Sequence, residues 1–133
     1  MSDEVYQIWL QRAKSNLSRA ELGRQKEDIL YEDLCFDAQQ AVEKTLKGLM
    51  AYLKIKIPRT HSIGFLLKIL SNSKKVDVPR ELREAVVLTD YAVTARYPGN
   101  WEPLCNQDYR KAVQLARDVF NWAGSIIDRG KTG

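Results

Sequence analysis

The chain has 133 residues, 44% apolar and 29% charged, which fits one domain spanning residues 1–133 with a real core and is too apolar for a disordered chain. No apolar run approaches the ~20 residues of a membrane span, and the opening MSDEVYQIW lacks a charged-then-apolar signal pattern, so the expected location is the cytoplasm. The net charge of +4 is unevenly spread: from Lys44 to Arg80 nine basic residues face one acid, Asp77, giving +8, while the remainder carries −4. Such segregation is the footprint of a surface for phosphates, nucleic acid or an acidic protein face.

The first helix is predicted over 4–26, with Asp3 as N-cap and an apolar stripe of Val5, Ile8, Trp9, Ala13, Leu17 and Ala20 at spacings of three and four. Arg24 and Lys26 are expected to close it, as the helix dipole prefers. A second helix over 31–54 carries the widest stripe, including Leu34, Ala38, Val42, Leu46, Leu49 and Met50, and must be central. Pro58 is expected to stop it, with KIPRTHS as a connector. Ser62 then caps a short helix over Ile63–Leu70, followed by the polar turn SNSKKVDVP. A fourth helix is predicted over 80–93 and a fifth over 107–127, the latter turning Tyr109, Val113, Ala116, Val119, Phe120, Ala123 and Ile127 inward. The long loop TARYPGNWEPLCN joins them. No strand alternation competes, so the fold class is all-α: an antiparallel up-and-down bundle of four main helices and one short one.

Several sites are excluded. Cys35 and Cys105 are too far apart in sequence for a C-x-x-C and read as free thiols packed as small apolar groups. A zinc site needs about four ligands and His61 is the sole histidine, so no metal or cofactor is expected. The tail GSIIDRGKTG misses a phosphate-binding loop because Ser125 stands where glycine is required, and a helix end is the wrong context. Gly130 and Gly133 read instead as a frayed end. Glu81 and Glu84, beside Arg80 and Arg83, read as solvated ion pairs on a helix face.

The stretch CFDAQQAVEKTLKGLM, with Trp9, Ala13, Leu17 and Ala20 before it and PRTHS and YAVTARYPG after it, resembles the HEPN family (higher eukaryote and prokaryote nucleotide-binding domains) over about residues 9–124. The resemblance implies a helical bundle that is usually a homodimer and often encoded beside a minimal nucleotidyltransferase. Some members are toxins or defence ribonucleases that use an arginine followed four to six residues later by a histidine. This sequence departs from that pattern: Lys54, Ile55, Lys56 and Ile57 precede His61 where the arginine belongs, and Trp101, Glu102 and Pro103 follow Arg96 where the histidine belongs.

The expected activity is therefore non-catalytic binding of a nucleotide or RNA phosphate group in a basic cleft, with a nucleotidyltransferase as protein partner. The residues expected to carry it are Gln40, Lys44, Lys47, Arg59, His61, Arg96 and Tyr97; Arg96 offers a planar fork suited to phosphate or carboxylate. The rival reading is a metal-independent ribonuclease built on His61 and Arg96. The plainest role for His61 is a hydrogen bond tying the connector to the bundle, and for Lys44 and Lys47 a solvated face. Trp9 and Trp122 are expected to be packing residues, and Trp101 a lid or dimer contact.

Overall fold

Apolar residues recur at spacings of three and four along the long segments, and among the described residues these become the α-helices α1 (Ser2–Glu21), α2 (Tyr31–Tyr52), α3 (Ile63–Asn72) and α4 (Asn106–Thr132). In this computed structural model, which describes residues 2–90 and 103–132, a 3₁₀ segment, Arg80–Val86, follows α3 and passes into α-helix over 87–90. Among the described residues every regular element is helical, and no helix is long and apolar enough to cross a membrane. Arg96, Tyr97 and Trp101, and the end of the helix expected over 80–93, lie outside the described residues.

Helix α2 is the axis, its Cys35, Ala38, Ala41, Val42, Leu46, Leu49 and Met50 wholly buried. Against it α1 runs antiparallel, with Trp9 meeting Gly48 and Asn16 meeting Lys44 and Asp37. Helix α4 runs parallel to α2: Tyr31 and Tyr109 pair at one end, their centroids 5.7 Å apart, and Gly130 lies against Tyr52 at the other. The inward face expected of α4 is the observed one, from Val113 through Ala116, Val119 and Ala123 to Ile127, with Tyr109 and Phe120 half-buried. Trp122 packs against the same core.

The helix ends differ from expectation for local reasons. Helix α1 starts at Ser2, so Asp3 lies inside it, and it stops at Glu21 because Gly23 takes φ +73. Arg24 and Lys26 therefore lie beyond it, and its last carbonyls are satisfied otherwise: the Tyr109 hydroxyl and the Gly23 N–H both donate to the Ala20 carbonyl, at 2.6 and 3.3 Å. Helix α2 ends at Tyr52, well short of Pro58. Lys54 adopts φ 60, the Ile55 N–H donates to the Met50 carbonyl at 2.8 Å and the Lys54 N–H to that of Ala51 at 3.2 Å. These two bonds form a Schellman motif with lysine in the place glycine usually fills.

Ser62 caps α3 as expected, its Oγ accepting the Phe65 N–H at 3.2 Å. Asp108 reaches back to accept the Cys105 N–H at 2.9 Å, fixing the start of α4. Cys105 is thus an exposed capping residue, not a packed thiol. Cys35 is buried, and that burial pushes its thiol up to about 12. Gly130 does not fray; it lies within α4.

The α1 stripe also needs correction at its start. Tyr6 is buried and meets Tyr52 edge-on, whereas Val5 and Ile8 are 46% and 49% exposed. The buried line runs through Tyr6, Ala13, Asn16, Leu17 and Ala20, leaving Val5, Ile8 and Arg12 around a small surface groove beside Trp9.

Candidate functional site: a Glu43–His61 pair on the face of helix α2

Residues 39, 43 and 47 fall four apart, so their side chains rise from one stripe of α2. Gln39, Glu43 and Lys47 are all buried. Glu43 is the centre: Lys47 Nζ donates to its Oε2 at 2.9 Å and Gln39 Nε2 to its Oε1 at 3.1 Å. Gln40 extends the line, its Nε2 donating to Gln39 Oε1 at 2.8 Å. The Lys47 ammonium also lies 5.7 Å from the centre of the Trp9 ring, a cation–π contact that joins α1 to the cluster.

The connector delivers His61 to the same carboxylate. Thr60 folds it, taking the Ser62 N–H on Oγ1 at 3.1 Å, and the Ile63 N–H is anchored on Thr89 Oγ1 at 3.2 Å. His61 Nδ1 then stands 3.1 Å from both oxygens of Glu43. A carboxylate only accepts, so Nδ1 carries the proton and Nε2 is the free nitrogen. The His61 side chain is 72% exposed while that of Glu43 is 5% exposed, so the ring faces solvent with a buried anion behind it. Burial pushes the Glu43 carboxyl up, but the bonds from Lys47, Gln39 and His61 outweigh it and hold the group below the usual carboxylate range.

A second polar cluster adjoins the first. Asn16 of α1 donates from Nδ2 to Asp37 Oδ1 at 3.1 Å and accepts Lys44 Nζ on Oδ1 at 2.8 Å. Burial raises the Asp37 carboxyl, and the Asn16 amide and Arg19 oppose it only partly. Arg19 lies 3.5 Å from Asp37, but its side chain is 67% exposed, so this pair adds little.

Four of the residues singled out from sequence, Gln40, Lys44, Lys47 and His61, therefore converge on one face, and Arg59 stands exposed on the connector two residues before His61. Arg96 and Tyr97 lie outside the described residues. Lys47 is not a solvated charge, since it is buried and neutralised by Glu43. Sequence reasoning missed Glu43 and Asn16. The signal for Glu43 is an acid four residues before a lysine on an apolar stripe, and it lies just outside the +8 segment that begins at Lys44. The exposed positive charge adjoining His61 on the connector is that of Arg59.

These features define a helical bundle that presents one oriented histidine beside half-buried amide and ammonium groups. The HEPN domain family model matches residues 6–126, and the chain belongs to that family. Two solved structures share the fold along nearly their whole length. TT1696 from Thermus thermophilus is 33% identical, covers 90% of this chain and 96% of its own, and superposes with a TM-score of 0.78. ST0689, an archaeal HEPN homologue, is 25% identical, covers 92% of this chain and 97% of its own, with a TM-score of 0.70. None of the curated proteins compared matches significantly.

Proposed function

We propose that this HEPN domain binds a phosphate group of a nucleotide or RNA on the face around His61, without cleaving it, and acts alongside a minimal nucleotidyltransferase. The observation that carries the proposal is the Glu43–His61 pair: Nδ1 is held by a buried carboxylate, so the ring is fixed and Nε2 is turned to solvent, with Arg59 exposed two residues away on the same connector. Gln40 is the further polar group on this face, and Arg96 and Tyr97, outside the described residues, are proposed as additional ligand contacts. The nucleotidyltransferase rests on the family resemblance.

Titration of labelled ATP and a short RNA at two salt concentrations tests the binding. Binding should weaken with salt, because phosphate contacts displace counterions, and His61→Ala should weaken it about tenfold, the loss of one hydrogen bond to a charged group. Undiminished binding in His61→Ala, or none at low salt, sinks the proposal.

The same pair favours one alternative. An imidazole backed by a buried carboxylate is how general bases are oriented, so a ribonuclease using His61 and Arg96 is the rival reading. RNA shortened by the native chain in metal-free buffer, and left intact by His61→Ala, would establish it in place of binding alone.

The proposal includes a homodimer. Val5 and Ile8 leave an uncovered apolar patch beside Trp9, which itself touches the Lys47 end of the site. A twofold contact there would bring two His61 faces to one groove. Light scattering through a dilution series should show a dimer that Ile8→Asp converts to monomer; a native chain that is monomeric throughout removes the dimer.

A further inference from the structure

Helix α3 and the 3₁₀ segment enclose a cleft of about 300 Å³ that shares no lining residue with the His61 face. Gly64, Leu67, Lys68 and Ser71 recur at helical spacing along one side, and Arg83 and Val86, three apart on a 3₁₀ turn, form the other. From Gly64 to Asn72 this wall is about 12 Å long, at 1.5 Å per residue.

The cleft is divided chemically. Gly64 and Val86 face each other at an apolar end, and Leu67 adds buried apolar surface; Lys68, Arg83, Ser71 and Asn72 line the rest with two cations, a hydroxyl and an amide. No acidic side chain lines it among the described residues, and neither the Lys68 ammonium nor the Arg83 guanidinium bonds to or pairs with another described residue. That contrasts with Lys47, whose charge is consumed by Glu43. Gly64 keeps the apolar end open: a Cβ there would lie 3.6 Å from both methyls of Val86, so any longer side chain would fill the space.

We infer that this cleft is a second anion site, which takes a small phosphate monoester carrying an apolar or aromatic body. The arginine fork and the lysine ammonium together match a dianion better than a monoanion, and the volume is at the lower end of small-molecule sites. The phosphate sits between Lys68 and Arg83 with the Ser71 hydroxyl as a further donor. The body lies over Leu67 and Val86.

Calorimetric titration of the whole chain with phenyl phosphate, inorganic phosphate and benzoate tests this. Phenyl phosphate should bind tightest. Arg83→Gln should weaken it about tenfold, the value of one charge-assisted bond, and Gly64→Leu should reduce it to the level of inorganic phosphate. Gly64→Ala, whose methyl fits at ordinary contact distance, is a gentler probe should the leucine variant fail to fold, and it should cost less. His61→Ala should leave this binding unchanged, so failure here and failure of the His61 site are read separately. Benzoate binding as well as phenyl phosphate, equal binding by Arg83→Gln, loss in His61→Ala, or no binding at all each overturns the assignment.

Discussion

Glu43→Ala is expected to lower stability by about 3–5 kcal/mol, the usual cost of removing one partner of a buried ion pair. Lys47 would keep its charge with a side chain only 9% exposed, and Gln39 and His61 would each lose an acceptor. The cost should come from the orphaned charge and not from lost attraction, because well-packed apolar replacements of buried pairs are often neutral. Glu43→Leu with Lys47→Met should therefore recover most of the loss in urea unfolding, and a double variant as unstable as Glu43→Ala would contradict this account.

Acid supplies an independent check. Because the folded carboxyl of Glu43 lies below its unfolded value, its contribution is complete above the ordinary glutamate pKa of about 4.3 and is lost as pH falls through the depressed folded value. The stability gap between the native chain and Glu43→Gln should accordingly be widest near neutrality and narrow toward acid. Asp37 works in the opposite sense: its folded value is raised, so its contribution is present in acid and declines as pH rises through that value. The comparison with Glu43→Gln cancels Asp37, which both proteins retain.

Periodicity revealed much of the fold because burial is one-sided. The α2 stripe, the inward face of α4 and the Ser62 cap follow from spacing and capping chemistry, and each stands where expected. Boundaries were harder to read where backbone geometry overrode composition. Lys54 ends α2 in the left-handed region, an event without a sequence signature, while Pro58 offered a false one farther on. Tyr6 displaced Val5 and Ile8 from the core because its ring finds an aromatic partner in Tyr52, a pairing set by tertiary packing. The site was legible by residue type and not by charge state. Lys44, Lys47 and His61 could be found as polar residues by type, but that Lys47 is neutralised and His61 oriented depends on Glu43, whose contact with the connector exists only once the chain is folded.

Gly48→Val is expected to lower stability by about 1–3 kcal/mol through overpacking. A Cβ at residue 48 would lie 3.0 Å from Trp9 Cβ and 3.2 Å from Leu10 Cδ2. The first of these atoms is fixed to the α1 backbone, so the rigid neighbour cannot swing aside and the whole helix must retreat. Alanine sets the clash against a gain of up to about 1 kcal/mol in helix propensity, so Gly48→Ala should fall well short of valine, whose two branch methyls press farther into α1. The displaced helix is also the one that carries Asn16 to Lys44 and Asp37 and lays Trp9 beside Lys47. The valine variant should consequently loosen the His61 face even where it stays folded, seen as weaker ATP binding than in Gly48→Ala at matched folded fraction. Urea midpoints at unchanged m-value would rank the variants, and a valine protein as stable as the native one would show that the α1–α2 contact is not close-packed at Gly48.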